Sequence, residues 1–109
     1  MSVTQYSKAE LRMAFDAVIA RWPERIELSD KTFHVNGGVN IRSLNEVHDG
    51  VDRSLEESPL SDVANALEWP IFTAIHMASK TLVYLNRDQI DFDAVLSIFD
   101  DHPNYQVIG

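Results

Sequence analysis

Two short groups in the sequence combine imidazole and carboxylate side chains closely enough for metal or acid–base chemistry. His48-Asp49 with Asp52 is one, and Asp100-Asp101-His102 is the other. Brought together by a fold, they would offer nitrogen and oxygen donors to a hard divalent cation. Taken singly, neither makes a site. Neighbours on a helix diverge by about 100°, so each group aims at most two ligands at one point. Asp100-Asp101-His102 also reads as the solvated end of a helix before Pro103. His34 and His76 stand alone, and no His-x-x-x-His pair is present for zinc. His76, in an apolar segment, is expected to be a hydrogen-bonded core or interface residue. The sequence has no nucleophile elbow, dinucleotide fingerprint, Walker loop or calcium loop. Gly37-Gly38 fits a tight turn, since no Gly-Lys-Ser/Thr follows it. The expectation is a protein with no catalytic residues, no metal and no cofactor. A small metal-dependent enzyme is the last of three readings.

A longer acidic series is more informative. On a helix beginning after Ser43, Leu44, Val47, Val51 and Leu55 form the buried stripe. Glu46, Asp49, Asp52, Glu56 and Glu57 then take the remaining surface, relieved only by Arg53. Asp49, Asp52 and Glu56 follow at three- and four-residue intervals, which spaces them about 5–6 Å apart as a ladder of like charge. Such pairs repel, and a helix selected for stability alone would interleave lysines. Asp88, Asp91, Asp93, Asp100 and Asp101 form a second acidic group, of which Asp91 and Asp93 favour the positive end of the last helix. A solvated face that maintains solubility accounts for the series in the simplest way. Its functional counterpart is a docking surface that draws in a basic partner by long-range attraction.

The charge balance points the same way. Of 109 residues, 17 are Asp or Glu and nine are Lys or Arg, for a net charge of −8. Residues 1–42 are nearly neutral at +1, so the imbalance lies in residues 43–109, where twelve acids meet only Arg53, Lys80 and Arg87. A chain built to hold nucleic-acid phosphates or anionic lipid would cluster lysine and arginine instead. Duplex DNA carries one charge per ~1.7 Å of axis, far denser than this domain, so close mimicry of DNA is not favoured. Cysteine is absent, which excludes disulfides, thiolate metal sites and cysteine nucleophiles. The N-terminus lacks a basic-then-apolar export signal, and polar residues interrupt the apolar stretch from Trp69 to Leu85. A cytoplasmic protein is expected.

The elements that must position these residues fit one domain over 1–109, with 45% hydrophobic residues to build its core. Ser7-Lys8-Ala9-Glu10 is a capping box, followed by the stripe Leu11, Phe15, Val18, Ile19 and Trp22 and a stop at Pro23. Residues 25–42 alternate with period two about Ser29-Asp30-Lys31 and Asn36-Gly37-Gly38, which predicts a three-stranded antiparallel meander. Residues 43–57 set a helical stripe against an Asp49-Gly50 hairpin signal, and the stripe predicts helix. A further helix begins at Ser58 or Ser61 with Leu60, Val63 and Leu67 inward, and Pro70 kinks it or starts another. Residues 71–86 read as a central apolar helix. Asp91 caps a last helix carrying Phe92, Val95, Leu96 and Phe99, and Tyr105 to Ile108 suit an edge strand on the meander. Phe15-Asp16-Ala17-Val18-Ile19 is echoed by Phe92-Asp93-Ala94-Val95-Leu96, a likeness that common amphipathic composition explains.

The predicted fold is α+β, with about five helices packed on the meander of residues 25–42 and a C-terminal edge strand. No motif identifies a family. The leading functional reading is a non-catalytic, inhibitor-like acidic binding protein. It would block a basic protein, such as a nucleic-acid-processing enzyme or a toxin, through Glu46, Asp49, Asp52, Glu56 and Glu57. Immunity proteins, antitoxins and phage-encoded inhibitors share this small, acidic, motif-poor composition, an analogy and not a homology. The alternative is a structural or adaptor subunit forming a homodimer through the apolar 71–86 helix. Direct binding to nucleic acid or membrane is not expected.

Overall fold

The structure, a computed structural model, describes residues 3–29, 32–36 and 41–109. The chain enters through β1 (Thr4–Ser7) and passes directly into α1 (Lys8–Arg21). The capping box is present: Ser7 Oγ accepts from the Glu10 N–H at 3.1 Å, and the Glu10 carboxylate accepts from the Ser7 N–H at 3.0 Å. Leu11, Ala14, Phe15 and Val18 are buried along one side of α1, and Trp22 beyond its end is buried too. Extended backbone at Trp22, before Pro23, ends the helix. Arg87 then holds that end from across the chain, donating to the carbonyls of Ala20 (3.1 Å) and Trp22 (2.7 Å). A guanidinium at the C-terminus of a helix meets the negative end of its dipole.

The meander forms as β2 (Arg25–Ser29), β3 (Thr32–Asn36) and β4 (Ile41–Ser43), antiparallel, with Ile26 opposite Val35 and Asn36 opposite Ile41. Asp30-Lys31, Gly37-Gly38 and Val39 lie outside the described residues. The sheet has a fourth strand that the sequence reading missed. Residues 84–86 form β5 (Tyr84–Asn86) and pair antiparallel with the free edge of β2, in the order β4-β3-β2-β5. The expected helix over 71–86 is therefore corrected. It ends at Ala78, where Ser79 Oγ donates to the His76 carbonyl at 2.6 Å and Ser79-Lys80-Thr81 turn the chain. Local hydroxyl bonding of this kind competes with helix continuation. Beyond the turn, Leu85 is buried between exposed Tyr84 and Asn86, the alternation of a half-buried strand.

The expected C-terminal strand is also placed differently. β6 (Tyr105–Ile108) lies parallel to β1, with Thr4 opposite Tyr105 and Ser7 opposite Ile108, in a separate two-stranded sheet. With β5 on β2, that edge of the meander is taken. Aromatic packing draws β6 elsewhere: Tyr105 stacks on Phe99 at 4.9 Å, and Tyr6 meets the edge of Phe99 at 5.6 Å.

The remaining helices are α2 (Leu44–Ser54), α3 (Ser61–Ala66), α4 (Glu68–Ala78) and α5 (Phe92–Asp100). Leu67 ends α3 and caps α4, so these two are turns of one bent segment, with Pro70 in the first turn of α4. A 3₁₀ turn (Arg87–Gln89) leads from β5 toward α5, whose N-cap Asp91 accepts from the Asp93 N–H at 3.4 Å. The two echoed segments meet, Phe15 and Phe92 packing edge to face at 5.2 Å. No helix among the described residues is long and apolar enough to cross a membrane.

Asp49-Gly50 does not make a hairpin. Gly50 lies inside α2, exposed, and a β-carbon added there would meet nothing within 4 Å. The stripe Val47, Val51 and Leu55, all buried, outweighs the local turn preference. Gly50→Ala should consequently stabilise the protein by about 1 kcal/mol, raising the thermal midpoint by roughly 4 °C or more. An unchanged or lowered midpoint in calorimetry would contradict a helical Gly50.

Candidate functional site

His48 faces inward on α2, beside Val47 and Val51. It is the single polar or charged residue that is buried among the described residues, at 0% exposure. Its ring packs against Phe72 of α4 at 5.2 Å and Trp22 at the end of α1 at 5.9 Å. Trp22 and Phe72 meet edge to face at 6.4 Å, so three rings from three helical segments close one box. Neither imidazole nitrogen has a hydrogen-bond partner among the described residues, and the buried indole N–H of Trp22 has none either. Leaving such a group unsatisfied costs about 1–3 kcal/mol.

The nearest polar atom to His48 Nε2 is Asp52 Oδ1, at 3.4 Å. One helical turn separates the two residues, which places their side chains on the same side of α2. The contact is an ion-pair distance without the alignment of a hydrogen bond, and Asp52 Oδ1 is also unsatisfied. Half-buried Glu68, the first residue of α4, completes the group. One donor atom each from His48, Asp52 and Glu68 lie within 4.8 Å of one another.

Burial raises the Asp52 carboxyl above the ordinary aspartate range, the nearby His48 pulls it back down, and the like charge of Asp49 raises it further. Desolvation thus outweighs the pull of His48, and the protonated form of Asp52 is favoured more than in a free aspartate.

The predicted site residues separate accordingly. Glu46 and Asp49 are exposed on α2, whereas Asp52 is drawn inward, its side chain 25% exposed. Glu56 and Glu57 are exposed, but α2 ends at Ser54, so they lie in the following turn and do not extend a helical ladder. The two imidazole–carboxylate groups do not converge. Asp100 accepts from the Val107 N–H at 3.3 Å, and His102 accepts at Nδ1 from the Asn104 N–H at 3.1 Å. The His102 ring rests between Tyr105 (4.7 Å) and Trp69 (5.4 Å). These bonds build the turn from α5 into β6. His76, expected at a core or interface position, is exposed and so does not belong to the core.

Sequence reasoning missed Glu68. Sixteen residues and a bend separate it from Asp52, and no periodicity links them. The placement of His48 had a visible signal, an imidazole set between two members of an apolar helical stripe. Elsewhere, a shallow cleft between α1 and residues 87–93 contains Arg12 and Arg87. Both are engaged, Arg12 with Asp16 at 3.3 Å and over the Phe92 ring at 4.9 Å, and Arg87 with the α1 carbonyls.

The raised Asp52 titration has a definite sign. Its folded-state value exceeds its unfolded value, so its contribution to stability is fully present below the unfolded value and is lost as pH rises through the folded one. Carboxyl-carbon NMR should find Asp52 titrating above the ordinary aspartate midpoint near ~3.9, and Asp49→Asn should lower that midpoint. An Asp52 midpoint insensitive to Asp49 would refute the coupling. No family model, no curated protein and no solved structure matches the chain, so the geometry is what bears on function.

Proposed function

We propose that the chain is a non-catalytic binding protein of inhibitor type. It occupies a basic surface on a protein partner, a nucleic-acid-processing enzyme or a toxin, through the acidic surface of α2 and the turn after it. One observation carries this reading. Glu46, Asp49, Glu56 and Glu57 are all exposed with Arg53 as the sole base among them, and no ion pair joins Asp49, Glu56 or Glu57 to a described residue. An exposed excess of charge of one sign steers a complementary partner and accelerates encounter. A cytoplasmic setting belongs to the same proposal.

The test compares the wild-type chain with Asp49→Lys/Glu56→Lys/Glu57→Lys, substitutions at exposed positions. In pull-downs from native host extract, the wild type should retain a basic protein at low ionic strength and release it near ~0.3 M salt, where exposed charges are screened. The triple variant should fold normally and bind that purified partner with an association rate at least about tenfold lower. Equal retention by wild type and variant would end the proposal.

A second reading, a homodimeric adaptor, is favoured by a different observation. Met77 near the end of α4, Val83 and Tyr84 at the edge strand β5, and Leu82 between them are all exposed, Val83 at 66%. Sedimentation should then show a dimer insensitive to salt and dissociated by Val83→Asp. A monomer at high concentration removes this reading.

A further inference from the structure

His48, Asp52 and Glu68 bring three donor atoms within 4.8 Å of one another at the meeting point of α2 and α4. Carboxylates gathered on a surface would carry little meaning. Here the third donor is a wholly buried imidazole with both nitrogens unsatisfied, directed at an aspartate oxygen that is itself unsatisfied. From this we infer that His48, Asp52 and Glu68 form a binding site for one divalent transition-metal ion of the zinc class. The inference is independent of the docking proposal, which uses the exposed acids.

The geometry suits that ion in three respects. First, zinc binds imidazole nitrogen and carboxylate oxygen at about 2.0–2.2 Å. The edge of a tetrahedron with such bonds is about 3.4 Å. The His48 Nε2 to Asp52 Oδ1 separation is 3.4 Å, poor for a hydrogen bond and suited to two ligands sharing one ion. Glu68 lies within 4.8 Å and closes the set by a movement of at most about 1.4 Å. Second, one neutral imidazole and two carboxylates carry two negative charges, which a divalent cation neutralises. The nitrogen donor selects zinc, cobalt or nickel over magnesium and calcium, whose sites are built from oxygen. Third, the apolar faces of Trp22 and Phe72 surround His48, and a dry shell of this kind strengthens each metal–ligand bond. Three protein ligands leave a fourth position for water, or for a donor atom from a bound partner.

The test uses the full chain without an affinity tag, stripped with EDTA and titrated with Zn²⁺ and separately with Co²⁺. Expected are one equivalent bound, a visible Co²⁺ spectrum of four-coordinate intensity, and a thermal midpoint raised by at least about 5 °C at saturating Zn²⁺. Mg²⁺ at about 1 mM should not displace the ion. Glu68→Gln and Asp52→Asn, on partly exposed side chains, should weaken Zn²⁺ binding by at least about tenfold. Asp93→Asn, which removes an exposed charge of the same sign on α5, should change affinity by less than about twofold. Absence of saturable one-to-one binding below about 1 mM Zn²⁺ would overturn the inference. So would equal weakening by Asp93→Asn and Glu68→Gln, which would reduce the cluster to diffuse attraction. Stoichiometry and the Co²⁺ spectrum of the wild type decide the matter even if a variant fails to fold.

Discussion

The packing of Trp22 against His48 and Phe72 is the contact on which the remaining arrangement depends. Trp22 is where α1 stops, and its burial brings that end beneath α2 and α4 together. Arg87 secures the same point by binding the carbonyls of Ala20 and Trp22, which also sets the path from β5 into the last helix. The end of α1, α2, α4 and the turn after β5 therefore meet at one place. It is an aromatic junction with a buried imidazole at its centre.

That buried polar group explains the division of labour on α2. A helix that buried only Val47, Val51 and Leu55 would leave every acid outside. Because His48 is buried, Asp52 one turn later is drawn in after it, and α4 meets the pair with the carboxylate of its first residue. The acids split into an inner pair tied to the imidazole and an outer group facing solvent. Charge that looks continuous along the chain is thus two populations with opposite environments. The inner one lives with desolvation, and the outer one is shaped by salt and by whatever approaches.

Local patterns were the legible part of this fold. Ser7 and Glu10 announce α1, period two announces the meander, and the α2 stripe prevails over Asp49-Gly50 because buried area outweighs a turn preference. What the sequence hid was set by pairing between distant segments. Thr81 to Asn86 is apolar enough to extend a helix, but the turn at Ser79 stops α4 and the free edge of β2 takes up the strand. Tyr105 to Ile108 has strand character, yet its partner was decided by Phe99 and Tyr6, whose rings hold it beside β1. Glu68 belongs to the site only because the bend at Leu67 aims α4 at His48. Each miss is tertiary context overriding a local signal that was itself correctly read.

The parallel pair of β1 and β6 has a consequence for how the molecule is made. Gln5 and Gln106, joined side chain to side chain, are 101 residues apart. During synthesis β1 must remain unpaired until β6 has left the ribosome. Closing so long a loop is entropically expensive and slow. Until then an edge with open hydrogen-bonding groups follows directly into α1, available to other chains. The capping box at Ser7 lets α1 form without waiting for that strand, so the helix can be in place long before the seam that completes the fold.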